Sequence, residues 1–79
     1  MVVYFKAGGK LRDRLKPDID HYTRKVEYDG EKSVAEILKL IDVDTAYIAF
    51  IYVENKVRDF SYIPKDGQTI TLQPPVSGG

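Results

Sequence analysis

Cysteine and tryptophan are absent from this chain, and histidine and methionine occur once each. Without thiols there can be no disulfide and no thiolate metal site, so a small fold has to be held by its core alone. The single imidazole, His21, lies between Asp20 and Tyr22 in a polar stretch; a metal site needs more ligands than one histidine and scattered carboxylates. Charge of one sign is also lacking. Twelve Lys and Arg balance twelve Asp and Glu, which gives no field for nucleic acid or an anionic membrane surface. Long apolar runs are missing as well: the longest, Ala46 to Val53, is too short to cross a bilayer. The N-terminus lacks the basic and apolar regions of a signal peptide. Gly8-Gly9 is followed by neither a Walker pattern nor a spaced dinucleotide fingerprint, so it reads as a pair of turn glycines. These absences predict an intracellular, cytoplasmic chain that binds no metal, cofactor, nucleic acid or membrane.

What is present fits one domain with one small core. Seventy-nine residues lie near the lower limit for folding without staples, and no linker or internal repeat divides them. Val2 to Phe5 is a β-branched and aromatic run that predicts a first strand ending at Ala7-Gly8-Gly9. Lys10 to Tyr22 predicts a loop, with a short helical turn possible where Leu11, Leu15 and Ile19 recur every four residues. Its Arg12, Arg14 and Lys16 are interleaved with Asp13, Asp18 and Asp20, a pattern expected of a solvated loop. Arg24, Val26 and Tyr28 alternate with Lys25 and Glu27 before Asp29-Gly30, predicting a second strand and a turn.

The main helix carries the strongest local signal. Ser33 and Glu36 have the spacing of a capping box, and Val34, Ile37, Leu38 and Ile41 recur with helical period on one face. The helix should stop near Asp42, where Asp42-Val43-Asp44-Thr45 competes for backbone hydrogen bonds. Tyr47 to Val53 predicts a strand, Asn55-Lys56 a turn into a short strand at Val57 and Arg58, and Asp66-Gly67 a turn into Thr69–Gln73 with Ile70 and Leu72 inward. The order is strand, strand, helix, strand, short strand, strand: an α+β domain with a mixed sheet covered by one main helix. One helix covers one sheet face, so some of the six tyrosines and three phenylalanines should stay exposed as a partner surface.

The ending is the main clue to function. Pro74-Pro75-Val76-Ser77-Gly78-Gly79 carries no charge except its terminal carboxylate, and two residues without Cβ can follow almost any path through a narrow channel. A carboxylate is a poor electrophile until ATP converts it to an acyl adenylate. At about 3.3–3.6 Å per residue such a tail reaches roughly 20 Å, far enough to enter a catalytic centre on another protein. Residues 1–73 are therefore expected to form the domain, and 74–79 a flexible C-terminal reactive tail.

The element order, Asp66-Gly67-Gln68 before the last strand, and above all Pro74-Pro75-Val76-Ser77-Gly78-Gly79 resemble the β-grasp, ubiquitin-like sulfur carriers of the MoaD/ThiS type. The resemblance covers essentially the whole chain, and the Pro-Pro and the long loop after the first strand are most similar to the small subunit of molybdopterin synthase. It implies a carrier and co-substrate rather than an enzyme. Gly79 would be adenylated by a ubiquitin-activating-type adenylyltransferase using ATP, then thiocarboxylated by a sulfur donor protein. Gly78, Ser77, Val76 and Pro75 would line the partner's channel. The thiocarboxylate would give its sulfur to a pterin precursor on the molybdopterin synthase large subunit, or to another sulfur acceptor. Three alternatives accompany this reading: a thiamine thiazole carrier, a modifier joined to lysine as in archaeal small modifier proteins, and an interaction domain whose Gly-Gly is idle.

Overall fold

The computed structural model describes residues 1–75. Five strands and two helices follow in the order β1 (Val2–Lys6), α1 (Gly9–Leu15), β2 (Thr23–Glu27), α2 (Val34–Leu40), β3 (Phe50–Val53), β4 (Lys56–Arg58) and β5 (Thr69–Gln73). The strands make one sheet in the order β2-β1-β5-β3-β4. The central pair, β1 and β5, is parallel, while β1–β2, β3–β5 and β3–β4 are antiparallel. Strand alternation sends Val3, Phe5, Val26, Ile51, Val53, Ile70 and Leu72 to one face, where they join Leu11 and Leu15 of α1 and Val34, Ile37 and Leu38 of α2 in a single buried cluster. Both helices thus cover the same side, and Thr69 and Thr71 face away from it, as the alternation predicts.

The capping box forms. Ser33 Oγ accepts from the Glu36 N–H at 3.3 Å, and Glu36 Oε1 accepts from the Ser33 N–H at 3.0 Å. Losing the Ser33 hydroxyl costs about 1 kcal/mol. The next two orphan donors of α2, the Val34 and Ala35 N–H groups, go to the Tyr62 and Phe60 carbonyls at 2.9 and 3.0 Å, so the segment between β4 and β5 completes the helix start. At the other end the helix closes as a Schellman motif. Val43 N–H donates to Leu38 C=O and Asp42 N–H to Lys39 C=O, at 3.0 and 3.2 Å, with Asp42 left-handed at φ 58. Val43 and Leu38 pack together in the core.

Four expectations are corrected. The stretch after β1 is a two-turn helix rather than a loop: Leu11 and Leu15 are buried and hold it on the sheet, so two helices cover the sheet instead of one. Ile19 is not a third anchor, since α1 ends at Lys16 in the left-handed region (φ 57) and Ile19 is 54% exposed. Tyr47 is not in a strand. Asp44 caps a short 3-10 turn over Thr45–Tyr47, its carboxylate accepting from the Ala46 N–H at 2.9 Å, and β3 starts only at Phe50. The β3–β4 turn is Glu54-Asn55, not Asn55-Lys56. Both its residues have positive φ, 52 and 65, as a two-residue hairpin loop with the native twist requires.

Candidate functional site

The segment that leads to the C-terminus leaves from β5, the middle strand of the sheet. Gln73 is its last residue, and the Gln73 carbonyl accepts from the Ala49 N–H at 2.8 Å, which fixes where the tail leaves the sheet. Both neighbours turn away at that level. β1 has passed through Ala7 into α1, where the Gly8 carbonyl accepts from the Arg12 N–H at 3.3 Å, and β3 has not yet begun. A backbone donor at 74 or 75 would have no ladder partner, and prolines, which carry no N–H, occupy both positions. Pro74 is half-buried and Pro75 exposed. Pro74 borders an open hollow of about 360 Å³ shared with Lys6, Gly8, Gly9, Tyr22 and Thr71. Of the residues expected to enter a partner's channel, only Pro75 is described; Val76, Ser77, Gly78 and Gly79 lie outside the described residues.

The sheet face opposite the helices adjoins this exit. Register places Tyr4 opposite both Lys25 and Thr69, Lys6 opposite Thr23 and Thr71, Tyr52 opposite Thr71 and Val57, and Phe50 opposite Gln73. Phe50 and Tyr52 meet edge to face, with ring centroids 5.3 Å apart and planes at 88°, a favourable aromatic geometry. Phe50 is 36% and Val57 61% exposed. Phe50, Tyr52 and Val57 thus make an apolar patch on β3 and β4; Tyr4 shares this face across Thr69 and Thr71 of β5, flanked by Lys6 and by the Lys25–Glu27 ion pair at 3.6 Å. The patch needed the strand register to be read: composition showed that aromatics exceed one core, but only cross-strand pairing shows which of them share the open face.

The remaining polar features are structural. His21 is exposed, and among the described residues no group of His, Cys, Asp or Glu is placed to hold a metal ion. The basic cluster of α1 stacks on aromatic rings, with Arg14 3.6 Å above Tyr47 and Arg12 5.8 Å above Tyr22. Three carboxyls sit below the usual range because they accept local hydrogen bonds in their charged form: Asp20 from the Tyr22 N–H and from Thr23, Glu36 from Ser33, and Asp59 from the Ser61 hydroxyl and N–H. Burial, and secondarily the nearby Asp66 charge, push the Tyr28 phenol up. Its hydroxyl is enclosed without a hydrogen-bond partner. None of these shifted groups belongs to the patch, and only Asp20, beside Tyr22, lies near the exit. The site therefore offers an exposed surface near the point where β5 ends at Gln73. A larger hollow of about 530 Å³, between α2 and the loop at Asp42–Thr45, lacks a comparable arrangement.

No known protein family's sequence profile matches the chain, and no curated protein matches it by sequence. The fold does match solved structures. It is similar to the crystal structure of SAMP1 from Haloferax volcanii, with a TM-score of 0.72 and 19% identity over 100% of both chains. It is also similar to a protein from Pyrococcus furiosus described as molybdopterin converting factor, subunit 1, with a TM-score of 0.70 and 18% identity over 95% of this chain and 98% of that one. The chain thus has the ubiquitin-like β-grasp fold that these two structures share.

Proposed function

We propose that the chain is a sulfur carrier and co-substrate, not an enzyme, acting in the cytoplasm in molybdopterin or tungstopterin synthesis. The observation that carries this reading is the geometry of the exit. The central strand of a ubiquitin-like fold, held at Gln73 by the bond from Ala49, runs into Pro74 and Pro75 near the apolar patch, and the sequence goes on from there as Val-Ser-Gly-Gly. In this reading a ubiquitin-activating-type adenylyltransferase docks on Tyr4, Phe50, Tyr52 and Val57 while Val76 to Gly79 enter its channel. The Gly79 carboxylate attacks the α-phosphate of ATP and pyrophosphate leaves. The terminal sulfur of a persulfide on a sulfur donor protein then attacks the acyl carbon and AMP leaves, giving an acyl disulfide. A second thiol of the donor attacks the donor-side sulfur, forming a disulfide on the donor and leaving the outer sulfur on Gly79 as a thiocarboxylate. This chain has no cysteine to bear a persulfide of its own, so sulfur comes from outside. The thiocarboxylate is then the nucleophile on the pterin precursor, held by the synthase large subunit.

The test is reconstitution. Chemically thiocarboxylated protein with a cognate large subunit should convert precursor to a dithiolene-bearing pterin, two carriers being consumed per product because each delivers one sulfur. Unmodified protein should give none. The likeness to SAMP1 supports a second reading, in which the same adenylate is captured by a lysine amine to make an isopeptide. Absence of product, together with Gly79-linked branched peptides on cellular lysines, would favour it.

A further inference from the structure

The sheet has two edges, β2 and β4, and the first is covered by its own chain. Even-numbered positions of the β2 segment turn their backbone groups toward β1, as the bonds Tyr28 N–H to Met1 C=O (2.9 Å) and Ala7 N–H to Tyr22 C=O (3.0 Å) show. Thr23, Lys25 and Glu27 therefore point theirs outward. The connection from α1 runs along this edge as a strap. The Asp18 and Ile19 N–H groups both donate to the Thr23 carbonyl at 3.0 Å, and the Asp18 carboxylate accepts from the Lys25 N–H at 2.9 Å. Arg24 Nη1 ties the strap's root by donating to the Leu15 carbonyl at 3.1 Å.

The covered edge is self-complementary. An antiparallel pairing of β2 with β2 of a second copy, centred on Val26, sets Val26 opposite itself. It places Lys25 opposite Glu27 of the other copy, and Glu27 opposite the other Lys25. The exposed side chains would form two cross-strand ion pairs, and the outward N–H and C=O groups of Lys25 and Glu27 are those such a ladder uses. Centring on Lys25 instead would set two lysines face to face. Of the groups required by the Val26-centred register, the Lys25 N–H is the one that the strap occupies, and it does so through the Asp18 side chain.

We propose that Asp18 is a lock on the β2 edge, withholding the donor with which a second copy of this chain would pair and so keeping the carrier a monomer at that edge. Edge strands invite such association, and an occupied edge prevents it. The proposal does not depend on the chemistry of Gly79.

Hydrogen exchange and sedimentation equilibrium of the full chain test it. In the unaltered protein the Lys25 amide should be protected and the Glu27 amide, on the same edge, should exchange freely; equal, fast exchange at both would overturn the lock without any variant. Asp18→Ala should raise Lys25 exchange in dilute solution roughly five- to tenfold, the worth of about one net hydrogen bond, and should dimerise as concentration approaches about 1 mM. Asp18→Asn, which keeps an acceptor oxygen, should remain monomeric. Adding Lys25→Glu to Asp18→Ala sets glutamates opposite one another and should abolish the dimer. Asp18→Ala staying monomeric, Asp18→Asn dimerising equally, or the Lys25→Glu addition having no effect would each overturn the proposal.

Discussion

Replacing Gln68 by alanine should loosen the whole end of the molecule opposite the tail. The Gln68 side chain joins three segments: Oε1 accepts from the Tyr62 hydroxyl at 2.9 Å and from the Lys65 N–H at 2.8 Å, while Nε2 donates to Glu54 Oε1 at 3.3 Å. Its backbone stays useful in the variant, because the Tyr4 N–H donates to the Gln68 carbonyl at 3.0 Å and the Gln68 N–H to Lys65 C=O at 3.1 Å. The loss is therefore three side-chain bonds, of which only that to Tyr62 is partly buried; the other two are exposed and water replaces them in part. At about 0.5–1.5 kcal/mol for a typical net bond, and less for the exposed pair, the total is about 1–2 kcal/mol. A domain of this size loses about 4–8 °C of Tm per kcal/mol, so differential scanning calorimetry should show a drop of roughly 4–16 °C. The effect has a second sign. Tyr62 and Phe60 supply the carbonyls that satisfy the Val34 and Ala35 N–H groups, so exchange at those two helix-start amides should rise more than at the core amides of β1 or β5. A Tm within about 2 °C of the parent, or uniform acceleration across the molecule, would refute the idea that Gln68 holds this segment to the helix.

Deleting Gly79, or adding one residue beyond it, should abolish ATP–pyrophosphate exchange with the cognate activating enzyme while leaving Tm unchanged; retained exchange by the deletion variant would contradict the proposed role. Val57→Glu, at a position 61% exposed, should change stability by no more than about 0.5 kcal/mol yet lower kcat/KM for adenylation about tenfold or more if Val57 lies in the docked centre, whereas unaltered kinetics would remove the patch from the interface. Acid should destabilise through Asp20, Glu36 and Asp59. Their folded-state pKa values lie below the unfolded ones, so their stabilisation is complete above the unfolded values near about 4. It is lost as pH falls below that, toward the folded values. Asp59→Asn should flatten the fall of Tm between about pH 5 and 3, and an unchanged slope would show that the Ser61 contacts contribute nothing.

What the sequence revealed follows from the range of the interactions involved. The capping box at Ser33 and Glu36, the inward pair Ile70 and Leu72, and the turns at Asp29-Gly30 and Asp66-Gly67 depend on neighbours a few residues away, and each could be read directly. Helix α1 was legible only as an apolar spacing, because Lys16, Pro17 and alternating charge obscure it and its stability comes from burying Leu11 and Leu15 under the sheet. The late start of β3 follows from Asp44 capping a 3-10 turn, a short-range bond that Asp44-Thr45 signals but that the β-forming Tyr47 and Ile48 hide. Strand register was the part of the site beyond reach. It decides that Phe50, Tyr52 and Val57 share one face with Tyr4 and that Gln73 marks the exit, and it is set by pairing between segments far apart in the chain. The proposed reactive group needed no register, being the terminus itself.

Intact-mass analysis of the protein purified from its native host tests the central claim most directly. A sulfur carrier should show, beside the unmodified chain, a species in which one oxygen of the Gly79 carboxylate is replaced by sulfur, and that species should vanish on deletion of Gly79 and reappear when Gly79 is restored. A population held only as the carboxylate, with the remainder found as a ladder of larger conjugates through Gly79, would contradict the carrier account.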